Sequence, residues 1–179
     1  VAKLSAAEER KSESDQFIKN SRRAKNDLEV VDVALDRLQN LTIRLQELAV
    51  ESANGTMSAA ERERYIIEAS MIKDEFFEVA NQSDSFGNAL FSGISGIQKP
   101  FVKDLSGAVT YEGSAINRTV NVAPGLPVQQ NYSGREVFSN IPGSESNFSV
   151  FNLIDNFVES LKVDLTSNSS SNLFSEGNT

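Results

Sequence analysis

Apolar residues recur at alternating spacings of four and three over about five heptads in the first third of the chain. This spacing keeps one face of an α-helix apolar and is typical of coiled-coil packing. It predicts a helix over residues 15–53, and a second apolar stripe beside the first predicts that this helix contacts more than one other helix. Residues 1–14 are polar and charged, which indicates either a frayed lead-in or a helix whose partner is missing. We place the packing face on Leu28, Val31, Leu35, Leu38, Leu41, Leu45 and Leu48.

A tight connection follows, and then a second amphipathic pattern over residues 59–82. Asn54 and Gly55 form a turn dipeptide because both tolerate positive φ. Ser58 followed by Glu61 has the spacing of a capping box, in which each side chain satisfies a backbone N–H of the first turn. The two helices are therefore predicted to fold back on each other as an antiparallel hairpin that crosses at about 20°. The second helix would close this hairpin with Tyr65, Ile72, Phe76 and Val79.

The character of the chain changes after residue 82, because all 4 prolines and 9 of the 10 glycines lie beyond it. Short runs with period-two alternation predict strands at residues 101–102, 108–112, 118–123, 128–133 and 137–138. Apolar residues spaced by three or four predict a third helix over residues 147–163, which would cover one face of the sheet. The Ser- and Asn-rich residues 166–172 indicate a linker or loop. A hydrophobic plug that joins the hairpin to the sheet is placed on Leu90, Phe91, Gly93, Pro100 and Phe101.

Together these elements predict an α+β fold. A long antiparallel α-helical hairpin, or coiled-coil rod, carries a small inserted antiparallel β domain with one helix of its own. The rod would take residues 1–83, a connector residues 84–100, the β-rich domain residues 101–165 and a tail residues 166–179. An elongated arrangement of this kind favours a mechanical or assembly role over a catalytic one.

Composition narrows the function classes further. The chain has no His and no Cys, so it offers no Ser–His–Asp triad, no disulfide and no thiolate metal site. Its net charge is −8 without a basic run, which argues against nucleic acids and anionic membrane surfaces as partners. The sequence contains no stretch of about 18 apolar residues, which is the length that would predict a membrane-spanning helix. Residues 81–88 do not fit a calcium loop. We therefore predict no catalytic residues, no metal and no cofactor.

An ordered series of short motifs resembles the flagellin superfamily and, within it, the flagellin-like hook-associated proteins of the hook–filament junction of bacterial flagella. The resemblance covers about residues 15–165. The motifs that carry it are residues 53–58 (ANGTMS), Arg64, residues 79–81 (VAN), 87–93 (GNALFSG), 99–101 (KPF), 111–113 (YEG) and 132–138 (YSGREVF).

The resemblance implies a structural protein whose helical faces pack against equivalent subunits in a ring, against a neighbouring hook-associated protein and against flagellin. It also implies an extracellular place on the flagellum, export without a cleaved signal peptide, and an export chaperone that binds the C-terminal region. The family's N-terminal opening and its returning C-terminal helices find no match here. We therefore expect the heptad face to lack its natural partner, with either self-association through the first helix or a loosened N-terminal end.

Two alternatives stay open at this stage. The chain could be a flagellin itself, or an extracellular helical-hairpin module that binds or senses a ligand. A sensory module would need a pocket between the helices with a few convergent polar groups. A stability shift on adding ligand would distinguish such a module from a structural protein.

Overall fold

The computed structural model describes residues 2–53, 57–141 and 148–175, and it describes side chains within residues 3–53, 57–141 and 148–163. The described residues contain four helices and four short strands, joined by loops, so the predicted α+β class is confirmed. In chain order the elements are α1 (Ala2–Ser52), α2 (Ala59–Ala80), β1 (Phe101–Lys103), β2 (Val109–Tyr111), β3 (Thr119–Ala123), β4 (Leu126–Gln129), α3 (Gly134–Phe138) and α4 (Val150–Ser175).

The first helix begins earlier than its apolar pattern predicts. It starts at Ala2 rather than near residue 15, so the charged lead-in is helical, and residues 3–16 are exposed along it. The lead-in is rich in Ala, Glu, Lys and Arg, which are good helix formers, and it contains no Pro or Gly. Amphipathic periodicity marks where a helix is buried, whereas propensity alone can carry the helix beyond that point.

The last helix corrects two predictions. It begins at Val150 rather than at residue 147, and it continues to Ser175, so the predicted loop at residues 166–172 lies inside a helix. Ser and Asn are only mildly unfavourable in a helix interior, by less than about 0.7 kcal/mol relative to Ala. No Pro or Gly follows until Gly177. A composition typical of linkers is therefore insufficient to end this helix.

The strands also differ from the single sheet that was predicted. Two separate two-stranded sheets form, β1–β2 and β3–β4. In the second sheet the strands pair antiparallel around a turn at Gly125, whose φ is +69°, so β4 starts at Leu126 rather than at residue 128. Residues 137–138 lie in α3 and not in a strand. Ser133 starts this short helix, because its hydroxyl oxygen accepts the N–H of Arg135 at 3.2 Å.

The chain divides into two compact units. The first comprises Val1–Leu35, Ala80–Val102 and Tyr111–Val137, and the second comprises Asp36–Val79, Lys103–Thr110 and Phe138–Thr179. Each unit has buried apolar side chains of its own. In the first unit they include Val31, Leu90, Phe91 and Phe101. In the second they include Leu48, Phe76, Val79, Phe138, Phe151 and Ile154.

Candidate functional site

Within the second unit, α1 and α2 pack antiparallel in one register. Arg44 Nε lies 2.6 Å from a carboxylate oxygen of Glu68, and Arg37 lies 3.4 Å from Glu75. Moving seven residues back along α1 moves the contact seven residues forward along α2, which only antiparallel helices allow. The two helices therefore pair within one chain. The ion pairs Arg44–Glu68 and Arg37–Glu75 lie along one side of this helix pair.

The structure rotates the packing face of α1 relative to the prediction. Ala34, Val31, Leu38, Leu45 and Leu48 are buried, whereas Thr42 and Ala49 are exposed. The buried side of α1 therefore combines Val31, Leu38 and Leu45 of the predicted heptad seam with Ala34 and Leu48 of the apolar stripe beside it. Among the predicted packing residues, Leu28, Leu35, Leu41 and Tyr65 are half-buried, and Ile72, Phe76 and Val79 are buried on α2.

The half-buried residues of the first unit line an open groove. It has a volume of about 630 Å³ and lies between α1 and the hairpin β3–β4. Asn20 on α1 donates a hydrogen bond to the carbonyl of Asn121 at 2.8 Å, which ties the helix to the hairpin. The floor and walls are mainly apolar, while the α1 rim is charged. The lining includes Leu28, Val31, Leu35, Val122, Val128 and Tyr132, with Lys25, Glu29 and Asp32 at the rim.

The start of α2 has the reciprocal hydrogen bonds of a capping box. The backbone N–H of Ser58 donates to the Glu61 carboxylate at 2.8 Å, and the N–H of Glu61 donates to the Ser58 hydroxyl at 3.2 Å. The hydrogen bonds from the Ser58 hydroxyl and backbone hold the pKa of Glu61 below its usual value. The predicted turn residues Asn54 and Gly55 lie outside the described residues.

The capping box of Ser58 and Glu61 predicts a pH-dependent contribution to the stability of the folded chain. Because the folded-state pKa of Glu61 is depressed, its contribution is present above the unfolded value near 4.5 and is lost as the pH falls through the lower folded value. Replacing Glu61 with Gln should lower the melting temperature at neutral pH, and the difference from the wild type should shrink below pH 4.5. Thermal melts across this range check the prediction. Glu63→Gln is the matched control, and an equal effect there would exclude the cap as the cause.

The predicted plug residues come together in the first unit. Phe91, Phe101 and Leu90 are at most 5% exposed, and Gly93 and Pro100 are also buried. Gly93 has φ +62°, and a Cβ there would lie 2.4 Å from the Ser114 carbonyl oxygen. All five residues are therefore buried, and a side chain at position 93 would collide with the backbone around residue 114.

Polar side chains that were not singled out for packing hold this cluster in place. Asn81 brackets the backbone of Phe101, accepting its N–H at 3.0 Å and donating to its carbonyl at 3.0 Å. Tyr111 stacks at a tilt on Phe101 with ring centroids 4.9 Å apart, and its hydroxyl donates to the Phe91 carbonyl at 2.9 Å. Buried Asn131 donates to the Gly93 carbonyl at 3.0 Å. The motifs around residues 81 and 111 were the available sequence signal for these contacts.

In the second unit a mostly buried lysine joins three segments. The Lys73 side chain is 12% exposed, and its Nζ lies 2.6 Å and 2.8 Å from the two carboxylate oxygens of Asp155 on α4. It also donates to the Gly107 carbonyl at 2.7 Å, between β1 and β2. One cation therefore ties α2, α4 and this loop together.

Removal of this cation should destabilise the second unit. We expect Lys73→Met to lower the free energy of unfolding by about 2 kcal/mol, because hydrogen bonds to charged groups contribute about 1.5–3 kcal/mol. Lys162→Met is the control, since Lys162 pairs with Glu159 at 2.7 Å while the two side chains are 52% and 66% exposed. Such exposed pairs contribute little. Chemical denaturation measures both variants, and equal losses would contradict the bridging role.

The described residues contain neither a group that could bind a metal ion nor a helix that could cross a membrane. Their Asp and Glu side chains form no group of three or more that could hold a metal ion. Over the same part of the chain, no helix combines the length and apolarity needed to cross a membrane.

The chain is similar to known flagellar proteins. The chain is 26% identical over 131 residues to flagellar hook-associated protein 3 of Salmonella typhimurium, a match that covers 69% of this chain and 40% of that protein. It is 31% identical over 84 residues to Polar flagellin A of Vibrio parahaemolyticus, covering 47% of this chain and 22% of that flagellin. The crystal structure of Xanthomonas campestris FlgL superposes with a TM-score of 0.72 and 30% identity, covering 75% of this chain and 43% of FlgL.

The chain thus spans about two fifths or less of the length of these relatives. Residues 3–96 match the family described as Bacterial flagellin N-terminal helical region, and this match extends over more than half of the 179 residues. The chain belongs to the family of the bacterial flagellin N-terminal helical region.

Proposed function

We propose that this chain is a structural component of the bacterial flagellum, a hook-associated junction protein that connects the hook to the filament. The extent of the similarity carries the proposal. The match to the hook-associated protein covers 69% of the chain, against 47% for the flagellin, and so reaches well beyond the shared helical region. The buried contacts of residues 91, 101 and 111 lie partly beyond that region and give this additional part a defined core.

In this proposal the function is performed by packing and not by chemistry. Val31, Leu38, Leu45 and Leu48 are buried within the chain, so they stabilise the subunit itself. The half-buried residues Leu28, Leu35 and Leu41 retain apolar surface that a neighbouring helix can cover. These three are therefore our candidates for contacts between subunits.

The proposed partners follow from the proposal that this is a hook-associated junction protein. For the full-length protein they are equivalent subunits in a ring, a neighbouring hook-associated protein and flagellin, with an export chaperone that binds a C-terminal region not included in the 179 residues. The proposed location is extracellular, on the axial structure, after export without a cleaved signal peptide. The protein would serve motility without catalysing a reaction.

Immunogold labelling of intact flagella tests this function. Antibodies raised against the chain should label one narrow band where the hook meets the filament. Label along the whole filament would show a flagellin instead, and absence of label from flagella in which the protein is present by immunoblot would contradict both. Antibodies preabsorbed with the purified chain provide the control.

A sensory or binding module is the second candidate, and the groove of the first unit is the observation that favours it. A volume of about 630 Å³ lies within the range of small-molecule sites, and its rim carries charged side chains. If the groove binds a small molecule, at least one compound in a screen of common metabolites should raise the melting temperature of the chain, and the rise should increase with the concentration of that compound. The junction proposal predicts no such shift.

A further inference from the structure

We propose that the Asp27 carboxyl group on α1 is a proton-binding site, and that its protonation as the pH falls strengthens the packing of α1 against the loop that follows α2. The site is a narrow cleft inside the first unit, where two carboxylates and one guanidinium meet. This proton binding is a property of the chain itself, so it applies to a junction protein and to a flagellin alike.

The cleft is small and has little room for solvent. Its volume is about 10 Å³, which is close to the space that one water molecule needs. Val31 of α1 and Ala89 and Leu90 of the loop form its apolar walls, and each of them is at most 5% exposed. Charges in such a place are screened less than charges on the surface, so their mutual attraction and repulsion are stronger. The polar lining consists of Asp27, Asp84, Asn88, Arg118, Gln130 and Asn131.

The charges around the Asp27 carboxylate come from three segments of the chain. Asp84 lies in the loop after α2 and Arg118 directly precedes β3, and both line the cleft together with Asp27. On α1 itself, Arg23 Nε lies 3.9 Å from a carboxylate oxygen of Asp27. The Arg23 side chain is 59% exposed, whereas that of Asp27 is 18% exposed, so water weakens this ion pair. The cleft therefore holds two anions against one cation, and a proton on one carboxylate would balance its charge.

Hydrogen bonds keep the second carboxylate of the cleft, that of Asp84, ionised. One of its oxygens accepts the backbone N–H groups of Phe86 and Asn88, each at 2.8 Å, and the other accepts the Asn88 side-chain amide at 2.9 Å. Burial acts to raise the pKa of Asp84, but these hydrogen bonds outweigh it and hold that pKa below its usual value. Asp84 is therefore not the group that takes the proton first.

Asp27 has no comparable set of donors, since its carboxylate accepts no hydrogen bond from the described residues. Burial raises the pKa of Asp27 above its usual value; Arg23 and Arg118 oppose this rise, and Asp84 adds to it. Asp27 therefore binds the proton first as the pH falls. Once protonated, it carries an O–H group that can donate a hydrogen bond. Gln130, which is 7% exposed and lines the same cleft, has an amide oxygen that can accept it.

The direction of the pKa shift gives the sign of the effect on stability. A carboxyl group whose pKa is higher in the folded chain than in the unfolded chain destabilises the fold as the pH rises. For Asp27 this cost is absent below the unfolded pKa near 3.8 and is fully present above the raised folded pKa. Glu61 and Asp84 have depressed pKa values and act in the opposite direction, so the effect of Asp27 is isolated by comparing variants at each pH.

A titration of the 179-residue chain followed by nuclear magnetic resonance tests the site directly. The carbon-13 shift of the Asp27 carboxyl should report an apparent pKa above 3.8, and that of Asp84 an apparent pKa below 3.8. Arg118→Gln removes the cation that lines the cleft and should raise the pKa of Asp27 further, whereas Arg10→Gln, at an exposed position of α1, should leave it unchanged. A pKa of Asp27 at or below 3.8, a higher pKa for Asp84 than for Asp27, or an equal response to both arginine variants would overturn the proposal.

Thermal melts measure the consequence for stability. Asp27→Asn imitates the protonated carboxyl, so at pH 7.5 it should melt about 3 °C above the wild type, and the difference should vanish as the pH falls towards 3.8. Asp32→Asn is the matched control, because it removes the same charge from an exposed position on the same helix. It should melt within about 1 °C of the wild type throughout. An Asp27→Asn chain that melts at or below the wild-type temperature at pH 7.5, or an equal rise in both variants, would contradict the role of Asp27.

Discussion

Leu38→Asp should remove most of the stability of the paired helices, because we expect it to lower the free energy of unfolding by about 4 kcal/mol. Leu38 is 6% exposed, and the register of the two helices places it level with the segment of α2 that contains the buried Ile72 and Phe76. A carboxylate at this position would lose its water without gaining a cation. Because whole domains are stable by only about 5–15 kcal/mol, a loss of this size is a large fraction of the total.

Thermal melts followed by far-ultraviolet circular dichroism measure this effect. The matched control is Val33→Asp, which places the same residue on the same helix at a position that is 67% exposed. The control should melt within a few degrees of the wild type. If Leu38→Asp also melted like the wild type, the assignment of Leu38 to the packing face would be wrong.

The second large effect is expected at Gly93. Its φ of +62° is unfavourable for a residue with a side chain, and a Cβ would lie 2.4 Å from the Ser114 carbonyl oxygen and 2.6 Å from that of Ile116. The Ser114 carbonyl has little freedom to move, because it accepts a hydrogen bond from the Ser133 hydroxyl at 2.9 Å and its oxygen lies 2.8 Å from the Tyr111 hydroxyl oxygen, whose one proton the Ser114 and Phe91 carbonyls share. Gly93→Ala should therefore cost about 3 kcal/mol, combining backbone strain with overpacking.

Gly96→Ala separates these two contributions. Gly96 also has a positive φ, of +69°, but a Cβ there would meet nothing within 4 Å. This control should cost about 1 kcal/mol, for the backbone conformation alone. Chemical denaturation of both variants gives the difference. Equal losses would show that strain accounts for the whole effect and that the carbonyls around Gly93 do not restrict it.

Local signals in the sequence were sufficient for the amphipathic part of α1, for α2 and for the cap at the start of α2. The heptad spacing predicted α1 and α2, and the spacing of Ser58 and Glu61 predicted the hydrogen bonds that begin α2. These features depend on residues within a few positions of one another, so the order of residues alone specifies them. The family motifs likewise indicated the flagellin family, to which residues 3–96 belong.

Contacts distant in sequence explain most of what the pattern missed. The bracket of Asn81 around Phe101 joins residues 20 positions apart, and Lys73 joins Asp155 across 82 positions. No periodicity encodes such pairs, because they arise only when separate elements meet. The helical state of residues 166–172 is a different case, since weak propensities left both outcomes open and composition favoured the wrong one.

The sequence by itself determined that α1 and α2 are amphipathic, where α2 starts, and that the chain lacks the side chains for His- or Cys-dependent chemistry. Only the tertiary structure decided which stripe of α1 is covered. The heptad pattern predicted a seam with an apolar stripe beside it, and the elements packed against α1 bury Val31, Leu38 and Leu45 of the seam together with Leu48 of the stripe, while Leu28 and Leu35 stay partly open. The physical reason is that periodicity specifies a face, whereas burial depends on which other surfaces lie against that face.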